Sequence, residues 1–521
     1  MGLQALDFMV LGVYAVVLLG IAWWVSREKA GHAKDTSDYF LAGKSLPWWA
    51  IGASLIAANI SAEQVIGMSG SGFAIGLAIA SYEWMAAITL LIVGKYFLPI
   101  FLEKRIYTMP QFLNDRFDGR VRAVMAVFWL GVYTLVNLTS VMWLGALAID
   151  RLTGLDPFYG IVALAAFAAL YSLYGGLKAV ALTDIIQVAM LVLGGLVIAY
   201  LSLDAISGGA GPIAGFTTML ERAPERFDMI LARDNPQYIN LPGIGVLVGG
   251  MWIMNLSYWG FNQYIIQRAL GAKSVREAQA GIVFAAFLKL LVPVLVVIPG
   301  IAAFILAPNL ERPDQAYPEM MKLAPAGFLG LIFAALVAAI VSSLASMVNS
   351  IATIFTMDLY KPLAPNTSEN RLVWIGRFVA FIALVIAVFA AQPLLGQFEQ
   401  AFQYIQEFTG FFTPGIVAIF ILGMFWKRAT AGGALAAALG SAALSVAFKI
   451  YAPAVPFMDR VGIVFLLCVV LGVIISLIEG RGAVHAKAIH HEEISFETSA
   501  RYNLAFAIIA VILIGLYWYW W

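Results

Sequence analysis

An all-α membrane protein of about fourteen transmembrane helices is the fold class this sequence predicts. Three observations carry that reading. The residues are 62% hydrophobic and only 12% charged, too little charge to clothe a soluble chain of 521 residues. The apolar residues gather into repeated stretches of about 20, the length that crosses a hydrocarbon core. Positive charge then falls mainly on one side of those stretches.

In chain order the stretches are 6–26, 46–75, 78–103, 120–149, 157–175, 179–202, 243–268, 275–307, 325–357, 371–391, 398–425, 430–449, 459–479 and 501–520. Their number is even, so both termini lie on one side. With the N-terminus outside, the inner segments hold the groups Arg27, Lys29, Lys34, Lys44; Lys104, Arg105, Arg116, Arg120, Arg122; Arg268, Lys273, Arg276; and Lys427, Arg428. The outer segments hold far fewer, such as Arg151, Arg222, Arg226, Arg233 and Arg312, and only Lys95 and Lys289 are assigned to neither side. This is the positive-inside bias, and a missed span would invert every later loop and spoil it. Positions 1–6 carry no positive charge ahead of the first apolar stretch. That stretch therefore reads as a retained helix rather than a secretory signal.

Several function classes drop out. A net charge of +1 argues against a nucleic-acid partner. The single cysteine, Cys468, excludes an internal disulfide, and the four histidines show no zinc-ligand spacing. Three of them, His485, His490 and His491, share the polar segment 480–499 and read as solvated. No nucleophile–base or metal constellation marks an enzyme. The outer loop 203–242, with Gly208, Gly209, Gly211 and Pro212, is expected to form short surface helices.

The informative residues are polar ones placed where lipid belongs, since each needs a partner, a cavity or a function. Residues 57–64 read Ala-Ala-Asn-Ile-Ser-Ala-Glu-Gln midway along the second stretch, with Gly67, Gly70, Gly72 and Gly76 beyond. An interrupted helix here frees carbonyl oxygens for an ion, whereas Ser and Asn alone would serve as glue between helices. Asn255, Tyr258, Trp259, Asn262, Gln263 and Gln267 line one face of the seventh stretch. Lys289 has no acid nearby in sequence, and Glu83 at the start of the third stretch is its expected partner. Gln400, Gln403, Tyr404, Gln406 and Glu407 form another polar stripe. Amides, carboxylates and a lysine converging from several helices suit a neutral polyhydroxylated ligand. Ser342, Ser343 and Ser346 supply hard oxygens for a monovalent cation, or bond back to their own helix. Asp184 caps a helix start or stands on a cation's way out.

Longer motifs carry a resemblance. The runs DYFLAGK at 38–44, AANISAEQ at 57–64, YGGLKAV at 174–180 leading to TDIIQ at 183–187, and FWKR at 425–428 with Gly432 and Gly433 look like the sodium/solute symporter family over nearly the whole chain. The resemblance implies a LeuT-like core of two inverted five-helix repeats, 46–202 and 243–425. One extra helix at 1–30 precedes them, the outer loop 203–242 separates them, and three helices at 430–521 follow. It implies a bacterial inner membrane, with both termini periplasmic. It also implies symport of sodium, the co-transported ion, with a hexose of galactose or glucose type.

By position, the sugar hydroxyls are expected on Gln64, Glu83, Asn255, Lys289 and Gln406. Tyr258 would lie under the ring as inner gate, held by Asn59, with Met68, Tyr82 and Phe402 as the outer cover. Sodium is expected on backbone oxygens of Ala57, Ile60 and Ala339 and the hydroxyls of Ser342 and Ser343, with Asp184 on its exit. Ala86 departs from the pattern, in which a serine contacts the sugar. Other solutes of the family, amino acids, sialic acid or carboxylates, would want an arginine in the site, and the spans as counted contain none. A solute sensor would carry a signalling domain, and no loop is long enough to hold one.

Overall fold

A computed structural model describes residues 3–26, 45–106, 108–396 and 400–521, with the side chains of 18–19, 22–26, 171–183 and 493 excluded. The motif at 38–44 and the side chains of 174–180 lie outside the described residues. The described chain is helical throughout, with no strand beyond an isolated bridge between Leu46 and Ala272. Among the described residues, nine helices are long and apolar enough to cross a membrane, and up to eleven if each of two bent pairs counts as one span. The two pairs are Trp48–Asn59 with Glu63–Ala74, bent by 60°, and Ala401–Gly410 with Thr413–Phe425, bent by 46°.

Helical backbone runs without interruption over Pro157–Ile206, where two separate stretches, 157–175 and 179–202, are expected. Fifty residues of straight helix would measure about 75 Å, more than twice a hydrocarbon core of about 30 Å. The packing of its ends shows that both lie at one end of the bundle. Pro157 follows the close of Thr139–Thr153 by a short turn, and Gly160 packs on Ala146 of that helix, while Val197 and Tyr200 share a cavity wall with Phe328 and Leu331. Leu3 donates its amide to the Leu152 carbonyl, and Asp7 accepts from Gly327 at 2.7 Å and Gly330 at 2.8 Å. Those bonds place Leu152, the N-terminal helix and the start of Phe328–Ile354 together. Asp7 thereby satisfies amides at a helix start that would otherwise be orphaned.

The seventh stretch is broken as its polarity suggests. It consists of Ile244–Val248, Gly250–Leu256, a wide turn at Ser257–Phe261 and Gln263–Leu270, with Asn262 extended at φ −81°, ψ 120°. The amide of Gln263, orphaned by that break, donates to the Tyr133 hydroxyl at 2.9 Å, and the same hydroxyl donates to Asn262 Oδ1 at 2.6 Å. The second stretch breaks at Ile60, whose ψ of 83° leaves the helix.

The outer loop forms a helix, Pro212–Arg222, as expected, and also does something the sequence does not show. Arg226 lays its guanidinium 3.9 Å from the Phe304 ring centre and donates to the carbonyl of Ala74, the last residue of Ser69–Ala74. A cation on the last carbonyls of a helix satisfies them and opposes the helix dipole. Directly beneath, Gly76 turns the chain at φ +98°, and an added Cβ would meet the Arg226 Cα at 2.8 Å. Gly76→Ala should therefore strain the backbone by about 1–3 kcal/mol and displace the loop besides. Thermal unfolding in detergent is expected to show a midpoint several degrees below the parent. An unchanged midpoint would mean that the loop does not bear on this turn.

Candidate functional site

Four of the expected residues meet in one buried network. Lys289 projects from Val275–Leu306 and is fully buried. Its ammonium donates to Glu83, in the first turn of Ser81–Ile92, and to Asn59 Oδ1 at the end of Trp48–Asn59. The ammonium also lies 4.8 Å from the Trp259 ring centre, a cation–π contact. Asn59 passes the connection on, its Nδ2 donating to the Tyr258 hydroxyl at 3.1 Å, which accepts a second bond from Tyr264 at 3.0 Å. Lysine and glutamate far apart in sequence are thus paired as expected, because neither charge is tolerable alone at this depth.

Other expected site residues carry buried polar atoms without hydrogen-bond partners among the described residues, namely Gln64 Oε1, Asn255 Nδ2 and the Tyr82 hydroxyl. Such atoms are rare in native proteins, because each costs about 1–3 kcal/mol when left unmade. Met68 is fully buried, and Tyr82 meets Phe402 edge-on with ring centres 5.1 Å apart. Phe402 packs over Gly67, where a side chain would crowd its Cβ at 3.1 Å. Phe402, with Tyr82 against it, therefore packs on the segment that carries Gln64, and Met68 ends that segment.

Gln406 and Tyr258 stand apart from the other expected sugar ligands in one respect. They line a cavity whose further walls include Glu63, Tyr133, Asn137, Asn262 and Thr409. Gln64, Glu83, Asn255 and Lys289 do not border it. Glu63, to which no role is given above, accepts from Ser140 at 2.7 Å there. Glu407 leaves the polar stripe altogether and binds Lys449 at 2.5 Å and Arg460 at 2.9 Å at the protein surface.

The serine cluster lies at the break of the second stretch. The amide of Ser61, which would close the helix onto Ala57, bonds instead to Asn59 O at 2.8 Å, and so the Ala57 carbonyl is freed. Ser343 donates to the neighbouring Ala58 carbonyl at 3.3 Å. Ala57, Ile60, Ala339, Ser342 and Ser343 are all buried. Ser342 donates its proton to Asp184, which also accepts from Ser54 at 2.6 Å.

Arg268 corrects the sequence reading. It counts above among the inner charges that end a stretch, and no arginine is assigned to the interior of a span. In the structure it is 1% exposed and pairs with Asp184 at 3.5 Å. The break at Asn262 re-aims the following half-helix, and hydropathy alone could not show that its last turn faces inward. Its place four residues after Tyr264 was the available signal, since that spacing shares a helix face.

Known proteins agree with this architecture. The sequence pattern of the sodium:solute symporter family matches residues 39–440. The sodium/glucose cotransporter of Vibrio parahaemolyticus is 52% identical, over 100% of this chain and 99% of that protein. The sodium/myo-inositol cotransporter 2 of Homo sapiens is 36% identical, over 83% of this chain and 68% of its own length. Among solved structures, a Na+-coupled sialic acid symporter in its substrate-bound outward-open state superposes with a TM-score of 0.78 at 24% identity. It covers 91% of this chain and 98% of its own, a likeness of fold, and the fold is that of the LeuT-type transporters. Sequence pattern, full-length identity and helical architecture together make this multi-pass membrane protein a member of the sodium:solute symporter family, a transporter and not an enzyme.

Proposed function

We propose that this chain couples inward movement of sodium to uptake of a neutral hexose by alternating access. The observation that carries the reading is the buried Lys289–Glu83–Asn59 network, together with the unsatisfied buried atoms of Gln64, Asn255 and Tyr82. Together they offer charged and neutral donors and acceptors to hydroxyl groups without presenting a net charge. Gln406 joins them from the inner side. Tyr258 lies under the sugar ring as inner gate with Asn59 as its latch, and Met68, Tyr82 and Phe402 form the outer cover. The named substrates of the two sodium cotransporters above, glucose and myo-inositol, are both neutral polyols.

Sodium takes the carbonyls of Ala57, Ile60 and Ala339 and the oxygens of Ser342 and Ser343, where the broken helix frees its acceptors. Asp184 stands behind Ser342 on the ion's exit. A carboxylate substrate would need a free guanidinium, and Arg268 is committed to Asp184, Ser54 and Ser346. Ala86, buried one turn from Glu83, contributes no hydroxyl, which costs about 0.5–1.5 kcal/mol for a sugar that would use one. Preference among hexoses therefore departs from that of a serine-bearing relative.

The proposed threading has fourteen crossings in a bacterial inner membrane, with both termini periplasmic. The five-helix repeats are 46–202 and 243–425, preceded by the helix at 1–30 and followed by the helices of 430–521. The breaks at Ile60 and Asn262 support it, since each falls in the first helix of its repeat. Counterflow of labelled sugars and of a carboxylate control in proteoliposomes, with and without sodium, tests the function. Hexose exchange that ignores sodium, or carboxylate exchange that outruns it, would overturn the reading.

One sodium ion is expected per sugar. A second would need oxygens between Asp184 and Ser346, and there the Arg268 guanidinium bonds both while position 345 is alanine. One ion suffices energetically. A potential of 100 mV contributes about 2.3 kcal/mol per charge. A tenfold gradient brings the total to roughly 3.7 kcal/mol, enough for accumulation on the order of 500-fold. Paired uptake of radiolabelled sodium and sugar checks this, and a ratio near two would refute it.

A further inference from the structure

Arg268, in the last turn of Gln263–Leu270, makes an unusually complete set of bonds for a buried charge. Its Nε donates to Ser54 at 2.8 Å, and one terminal nitrogen donates to Ser346 at 2.7 Å and to Asp184 Oδ2 at 3.5 Å. The other terminal nitrogen donates to the Tyr264 carbonyl. Asp184 is equally engaged, taking protons from Ser54 and Ser342 on its two oxygens. Burying a pair of charges costs several kcal/mol per ion unless the geometry is well satisfied, so such a pair is weak evidence for stability alone.

The protons show what the pair accomplishes. A serine hydroxyl has one proton and two lone pairs. Ser342 spends its proton on Asp184, which leaves its lone pairs as the face it offers to any other group. Ser346 is used differently, donating to the Ser342 carbonyl at 2.8 Å and accepting from Arg268. Arg268 reaches the carboxylate directly through one nitrogen at 3.5 Å and a second time through Ser54, which accepts from its Nε and donates to Asp184 Oδ2.

We propose that Arg268 is a positioning residue of the sodium site. It holds Asp184 so that the carboxylate takes the Ser342 proton and turns that hydroxyl's oxygen to the ion. Arg268 itself does not touch sodium. The same guanidinium grips the carbonyl of Tyr264, whose hydroxyl bonds to Tyr258, so the ion site and the inner gate hang on one half-helix. The inference rests on Ser342 being a sodium ligand, as proposed above, and deepens that reading.

The test is a mutant cycle on the half-saturating sodium concentration for sugar binding to the full-length purified chain. Four proteins are compared: the parent, Ser342→Ala, the pair Arg268→Gln with Asp184→Asn, and all three substitutions together. Removing both charges at once leaves no lone buried charge. Ser342→Ala and the pair should each raise half-saturating sodium by about tenfold, the equivalent of about 1.4 kcal/mol. The triple variant should add less than about twofold to the pair, because both act through one oxygen. The pair and the triple variant should share one thermal midpoint, so that damage to the fold does not account for any difference between them. Arg268→Lys keeps the charge without the fork and should shift sodium dependence several-fold in the same direction. Additive costs in the triple variant, or parental sodium dependence in the pair or in Arg268→Lys, would overturn the proposal while leaving Ser342 a ligand. A Ser342→Ala protein with parental sodium dependence removes Ser342 from the site, and the role of Arg268 falls with it.

Discussion

Lys289→Ala is expected to lower sugar affinity roughly 10- to 100-fold, the largest loss among single substitutions in the site. A hydrogen bond from a charged donor contributes about 1.5–3 kcal/mol, and each 1.4 kcal/mol is about tenfold in affinity. The substitution also strips Glu83 and Asn59 of their shared donor. A carboxylate buried without its cation destabilises by about 3–5 kcal/mol, so lost binding could simply report a damaged fold. Lys289→Met combined with Glu83→Gln separates the two effects. That pair leaves no lone charge, should recover most of the thermal midpoint, and should still bind sugar weakly. Gln64→Ala, which removes an unpartnered acceptor and strands nothing, should weaken binding with little change in stability. Equilibrium binding on purified protein decides, and near-parental affinity in Lys289→Met/Glu83→Gln and Gln64→Ala would sink the site assignment.

Tyr258→Ala is expected to abolish most uptake while Tyr258→Phe retains much of it. The ring sits between the Lys289 network and the cavity that Glu63 and Gln406 line, edge-on to Trp259 at 5.1 Å and to Tyr264 at 6.1 Å. Phenylalanine keeps that ring and gives up the bonds from Asn59 and Tyr264, at about 0.5–1.5 kcal/mol each. On the proposed reading those bonds hold the gate closed, so weakening them would shift the balance between open and closed states without removing the surface on which a sugar ring would stack. Alanine removes the surface and the barrier together. Initial rates of labelled sugar uptake at saturating sodium should differ between the two by more than about tenfold, a gap of over 1.4 kcal/mol. Equal rates would show that the hydroxyl, not the ring, carries the role.

How far the site was legible depended on the kind of signal each residue sends. Lys289 and Glu83 announced themselves, because an ionisable group in an apolar stretch has few bland explanations. The break in the second stretch was visible as Asn59, Ser61, Glu63 and Gln64 in a row. The break in the seventh was visible as a polar face. Arg268 was not legible, since it follows the break and sits among basic residues that read as an inner loop. Glu63 was seen as polar but not as the wall of a cavity, and Glu407 was assigned inward when Lys449 and Arg460 draw it to the surface.

Sequence alone determined the solvent of this protein, its helical class and the family to which it belongs. Those follow from composition, from a period of apolar length, and from long motifs, none of which depends on knowing which helices touch. Tertiary structure decided the other long-range pairings: Lys289 with Asn59 besides the Glu83 that the sequence suggested, Ser342 with Asp184, and Arg268 with Ser54, Asp184 and Ser346. Partners 78 to 230 residues apart leave no trace in local periodicity. What selects them is that a charge or a hydroxyl in a low-dielectric interior must find its complement wherever the packing of broken helices happens to place one.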